Sequence, residues 1–111
     1  GINGLETALP SLLDLLVKKE GFPLDRLIEA LTVGPAKLLS LKSGGRIKKG
    51  ELADLTIIDL EGKTTISKET MASKSHNTPF LGATFTGSIV MTFFSGQPVY
   101  QNKNYDKILV D

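Results

Sequence analysis

Two kinds of hydrophobic spacing divide the chain. Leu5, Leu9, Leu12, Leu13 and Leu16 recur at i, i+4, i+7, i+8 and i+11, which lines one side of an α-helix. Lys18, Lys19 and Glu20 follow, and Gly21 stands where a helix ends in a glycine cap. Pro10 costs little in a helix that starts near Thr7 and would kink one that starts earlier. Leu24, Leu27, Ile28 and Leu31 give a second stripe at i, i+3, i+4 and i+7, with Asp25 near the positive end of its dipole. Gly34 and Pro35 then predict the N-cap and first position of a third, short helix through Lys37, Leu38 and Leu39. Its apolar side is expected to pack on the second helix.

After Ser43-Gly44-Gly45 the period changes. Arg46-Ile47-Lys48-Lys49-Gly50 reads as a polar turn. Leu55 to Leu60 is a short, β-branched apolar run, so it predicts a strand, with a turn at Glu61-Gly62 and a return strand over Lys63 to Ile66. Phe85, Ile89, Met91 and Phe93 lie among Thr84, Thr86, Ser88 and Thr92. That is the period of two of a long strand with one buried face, and Gly87 within it predicts a bulge or bend. Ser95-Gly96 is a hairpin turn with Val99-Tyr100 on the return strand, and Asn102 to Asp111 reads as a loosely held end. The expected order is three helices and then about five short strands.

Composition narrows the chemistry. The 111 residues carry 13 Lys+Arg against 12 Asp+Glu, one His and no Cys. Disulfides, thiolate metal sites and a His-rich metal cluster are therefore excluded within the chain. A net charge of +1 argues against an electrostatic nucleic-acid binder. Lys42, Arg46, Lys48 and Lys49 form the one basic cluster, and no aromatic side chain is interleaved with them to stack on bases. Gly44-Gly45 with Gly50 fits neither a phosphate loop nor a dinucleotide fingerprint. No apolar run approaches the ~18 residues of a membrane helix, and no signal peptide is visible. The first residue is Gly1 rather than Met, with a helical pattern close behind, which leads us to expect a piece of a longer chain.

A chain of this length buries roughly two thirds of its unfolded surface, enough for one small core. Periodicity alone leaves two architectures open. One is a self-contained small α+β domain; the other is the end of a large barrel enzyme with an appended β-sandwich.

Four segments carry a more specific signal. They are Gly1-Ile2-Asn3-Gly4-Leu5-Glu6-Thr7-Ala8-Leu9-Pro10; Pro35-Ala36-Lys37-Leu38-Leu39 with the run from Gly45 to Leu55; Ser73-Lys74-Ser75-His76-Asn77-Thr78-Pro79-Phe80-Leu81-Gly82; and Gly87 through Thr92 to Gly96. Together, and in this order, they resemble the C-terminal end of the dihydroorotases, in the cyclic amidohydrolase family. The element ending in Ala53-Asp54-Leu55 is common to many amidohydrolases. The first and third segments look like dihydroorotase rather than dihydropyrimidinase or allantoinase. Gly34 departs from the family, which usually has Asn before the proline; at an N-cap that change costs only about a few tenths of a kcal/mol.

The resemblance implies an α/β parent: a (β/α)8 metal-dependent hydrolase barrel plus a composite β-sandwich. Residues 1–42 would be closing helices of the barrel, and residues 43–111 the C-terminal strands and loops of the sandwich. It implies a cytoplasmic zinc enzyme of pyrimidine biosynthesis that interconverts dihydroorotate and N-carbamoyl-aspartate. The family's metal ligands and catalytic Asp lie on barrel strands, and none of those motifs occurs here. This chain would hold no catalytic residue and no metal ligand, and would be inactive alone. Its partner would be the remainder of the barrel; the resemblance leaves a homodimer or association with aspartate transcarbamoylase open. Other readings are a non-catalytic amidohydrolase-like assembly domain, another cyclic amidohydrolase, and an independent binding module.

Single residues divide between roles in the same way. Gly1 matches a family glycine whose backbone contacts substrate near the metal, while on its own it reads as a loop glycine. Asn3 reads as a cap or turn residue and Glu6 as a carboxylate in a first helical turn. His76 has no acid at triad spacing and reads as an exposed loop residue; Lys74 reads as a loop anchor. Asn77, Pro79, Phe80 and Gly82 are expected to form a packed turn with Phe80 as its plug. Asp54 is expected to accept backbone N–H groups ahead of a strand.

Overall fold

Helical winding changes within the first stripe. In the computed structural model, which describes residues 7–41, 45–72 and 75–105, helix α1 (Ala8–Leu12) runs directly into a π-helical segment, Leu13–Lys19. The heptad-like spacing predicted α-helix throughout, and π winding over Leu13–Lys19 is a correction. Gly21 ends the helix as expected, at φ +72°. The Gly21 and Phe22 N–H groups return to the Val17 and Leu16 carbonyls at 3.1 and 3.0 Å, which satisfies acceptors that a helix end leaves open. Pro10 is the third residue of α1 and is buried.

Helix α2 (Leu24–Leu31) follows Pro23, with Asp25 in its first turn and Leu27 buried. Helix α3 spans Val33–Leu38 and takes Thr32, not Gly34, as its cap residue. The start lies two residues earlier than expected. Pro35, now third in the helix, still forfeits nothing, because the first four N–H groups lack partners anyway. Leu38 and Leu39 remain exposed, Leu38 at 85%, so the expected apolar packing of this helix end on α2 is not seen.

Among the described residues three antiparallel strands follow, where about five short ones were expected, in the order β1-β2-β3: β1 (Leu55–Thr65), β2 (Thr84–Phe94) and β3 (Gln97–Gln101). Glu61-Gly62 makes no turn. Lys63 reaches Thr86 and Thr65 reaches Thr84, so β2 offers a partner to the half of β1 that was expected to fold back. Ile66 continues the pairing, its N–H bonded to the Ala83 carbonyl at 2.9 Å. The β2–β3 hairpin turns at Ser95-Gly96 with φ of 50° and 80°, the positive pair that a two-residue turn demands. Its register slips between Thr92 and Phe93, which leaves Val99 as the extra residue of a bulge.

The described residues fall into two compact units, those within 1–22 and 59–88, and those within 23–58 and 89–111. In the first, Leu13, Ile66 and Phe85 are the buried apolar side chains. The Phe80 ring meets Phe85 edge-on, 5.2 Å between centroids, a favoured aromatic geometry. In the second, Leu27 and Val90 are buried, while Leu38, Leu39, Leu41, Ile47 and Leu52 are exposed. Within the stretch expected to be a loose end, residues 106–111 lie outside the described residues, while Asn102 is hydrogen-bonded in place. Its N–H bonds the Val90 carbonyl at 2.9 Å and its amide nitrogen the Ile89 carbonyl at 3.1 Å.

Candidate functional site

Asp14 is the most constrained acidic side chain among the described residues. It is 3% exposed, although it lies in the leucine-rich run from Leu12 to Leu16. One carboxylate oxygen accepts the Thr86 N–H at 2.7 Å, and the other lies 3.5 Å from the Lys19 ammonium. The Thr86 hydrogen bond, aided by Lys19 and Lys63, holds the carboxyl below the usual aspartate range. Beside it, Gly87 has φ +128°, and a Cβ placed there would lie 2.8 Å from the Leu13 Cβ. Glycine is thus needed twice over, for the backbone angle and for the close approach of the helix. The sequence marks Gly87 but not Asp14, whose partner is 72 residues away.

A second polar pair sits in the turn after α3. Arg46 pairs with Glu51 at 2.7 Å. The guanidinium lowers the Glu51 carboxyl, and the carboxylate raises Arg46. Arg46 is therefore engaged within its own turn, while Lys48 and Lys49 are exposed. Lys42 lies outside the described residues.

Asp54 accepts a backbone N–H, as expected, but that of Ser95 at 2.7 Å; the Gly96 N–H bonds the Ala53 carbonyl at 3.0 Å. The segment before β1 thus clamps the hairpin turn. His76 is exposed, and Thr78 rather than Asn77 is the buried polar residue of its loop. The Thr78 hydroxyl accepts the Phe80 N–H at 3.2 Å, and Gly82 has φ +87°. Phe80 is half-buried against Phe85, as the plug was expected to be, but Asn77, Pro79 and Gly82 are exposed rather than packed. Gly1, Asn3, Glu6 and Lys74 lie outside the described residues.

Among the described residues no group of three or more His, Cys, Asp or Glu could hold a metal ion. No helix among them is long and apolar enough to cross a membrane. The polar groups found here therefore lock segments of chain together.

Residues 1–99 match the Amidohydrolase family. The chain belongs to the amidohydrolase family. It is 48% identical over 101 residues to a dihydroorotase of Carboxydothermus hydrogenoformans, covering 91% of this chain and 24% of that enzyme. A dihydroorotase of Sulfurihydrogenibium sp. is 47% identical over 102 residues, covering 92% of this chain and 24% of the relative. Among solved structures, the L-hydantoinase (dihydropyrimidinase) of Arthrobacter aurescens matches with a TM-score of 0.83 and 36% identity, over 91% of this chain and 23% of its own. The chain thus spans about a quarter of the length of the curated relatives it matches.

Proposed function

We propose that this chain is the C-terminal part of a dihydroorotase. The supporting observation is 47–48% identity to enzymes so named across more than nine tenths of the chain. In this reading residues 1–42 close the barrel and residues 43–111 supply sandwich strands. The enzyme interconverts dihydroorotate and N-carbamoyl-aspartate, and Gly1 offers its backbone to the substrate.

The described residues do not fit a metal site, so we assign the zinc ligands to the rest of the barrel. Bound zinc lowers the pKa of water and polarises an amide carbonyl. This chain's own residues contribute placement: Asp14 fixes the first helix to β2, and Asp54 fixes the hairpin turn.

A chimera tests the proposal. The chain replaces the matching quarter of the Carboxydothermus hydrogenoformans dihydroorotase, and turnover of dihydroorotate, dihydrouracil and hydantoin is measured. The expected result is a folded enzyme active on dihydroorotate. A folded chimera that has lost dihydroorotate turnover, or that prefers another ring, overturns the reading. The isolated chain is expected to show no turnover with zinc present.

A further inference from the structure

An apolar group gathers at the turn after α3. Leu38, Leu39, Leu41, Ile47 and Leu52 are 59–89% exposed, and the path of the chain draws them together. The Leu41 N–H returns to the Ala36 carbonyl at 2.9 Å. A Cβ placed on Gly45 would lie 3.1 Å from the Ala36 Cβ, so the chain comes back over α3 two residues before Ile47. Two residues span at most about 7 Å, which keeps Ile47 beside the end of that helix. The Arg46–Glu51 pair, and the Glu51 N–H bonded to the Lys48 carbonyl at 3.2 Å, then close the turn and return Leu52 to the same place. Apolar side chains scattered singly over a surface need no explanation, but a gathered group marks an interaction surface.

Charge decides what can cover it. Over positions 37–52 the sequence carries Lys37, Lys42, Arg46, Lys48 and Lys49 against Glu51 alone. Arg46 is engaged by Glu51, whereas Lys37, Lys48 and Lys49 are exposed. The apolar group therefore has a cationic rim. In a two-fold contact between copies the same patch meets itself, which would set lysine against lysine at a cost. A membrane is a poorer cover too, because the group holds no Trp or Tyr to anchor at that interface. The complement is an apolar surface edged by carboxylates. The match covers 24% of each relative, which leaves the larger part of such a chain to supply one.

We propose that this face is where the chain docks on the rest of its parent, against an apolar surface edged by carboxylates. The inference rests on the dihydroorotase reading. It deepens that reading by naming the surface of contact and the charge of its counterpart.

The full-length chimera tests it by thiol labelling, because this chain has no cysteine of its own. Ile47→Cys is introduced, and maleimide uptake is read by mass on the peptide that carries residue 47. The native chimera is expected to label about 100-fold more slowly than the same protein unfolded in urea. A native rate within about threefold of the unfolded one overturns the proposal. So does protection that is lost on dilution, which assigns the cover to a second copy, or that appears only with anionic lipid vesicles. Lys48→Glu with Lys49→Glu, in the Ile47→Cys background, is expected to speed labelling about tenfold; no change overturns the acidic counterpart. Should Ile47→Cys not fold, Leu52→Cys carries the same comparison. A chimera that is protected at residue 47 but turns over another ring overturns the substrate reading alone. One that turns over dihydroorotate but labels freely overturns the docking face alone.

Discussion

Leu13 stands over Gly87 so closely that a Cβ on the glycine would lie 2.8 Å from the Leu13 Cβ. The contact joins the first turn of the π segment to the centre of β2. Gly87→Ala is expected to destabilise the chimera by about 3 kcal/mol, because overpacking and an unfavourable positive φ act together. Denaturant titration measures this. A loss below about 0.5 kcal/mol would show that the helix moves away from β2 freely.

The Asp14 carboxyl lies below its usual range, chiefly through the Thr86 N–H and then through Lys19. Its folded pKa is lowered, so its stabilisation is present above the unfolded value of about 3.9 and is lost as pH falls through the lower folded value. Lys19 and Lys63 are the charged groups acting on it. The stability gap between the chimera and its Asp14→Asn variant is therefore expected to be constant near neutrality and to close below about pH 4. Melting temperatures from pH 3 to 7 check the sign.

Phe85 is buried, and its ring meets that of Phe80 at 79°. Phe85→Ala is expected to cost about 3–5 kcal/mol. Phe80→Leu keeps volume but loses the edge-on contact, and about 1 kcal/mol is expected. Chemical denaturation of both variants separates volume from ring geometry.

The Asp54 carboxylate takes the Ser95 N–H at the hairpin turn. Asp54→Ala removes that acceptor and is expected to cost about 1 kcal/mol. Amide exchange should quicken first at Ser95 and Gly96. Equal protection in both proteins would show that the turn holds itself.

Leu38, Leu39, Leu41, Ile47 and Leu52 are exposed in the second unit, and apolar side chains left in water favour association. Light scattering of the isolated chain is expected to show self-association. A zinc chelator is expected to leave its melting profile unchanged, since no ligand group is found among the described residues. A shift of several degrees with zinc would contradict that assignment.

Local backbone signals were the most legible. Gly21 and the Ser95-Gly96 turn each do what their residue types predict, because positive φ is a property of the residue and its immediate neighbours; Gly87 also takes a positive φ, but inside the continuous strand β2. The clamp by Asp54 was legible in kind but not in partner. Two features were hidden for one physical reason. Glu61-Gly62 looks like a turn until β2 is available to pair with both halves of β1. Asp14 looks like a polar interruption of a leucine stripe until Thr86 arrives from 72 residues away. Pairings over such separations leave no mark in spacing. The resemblance to dihydroorotases was carried by ordered segments rather than by site chemistry.

The two ends of the sheet order are not equivalent. β3 carries Pro98, which has no N–H to offer, and a slipped register at Val99. Such devices discourage a stranger's strand from adding to an edge. β1 spans eleven residues without a proline. The sheet therefore has a blunt side and a receptive side, and any strand brought to it by the rest of a larger molecule has one direction in which to extend it.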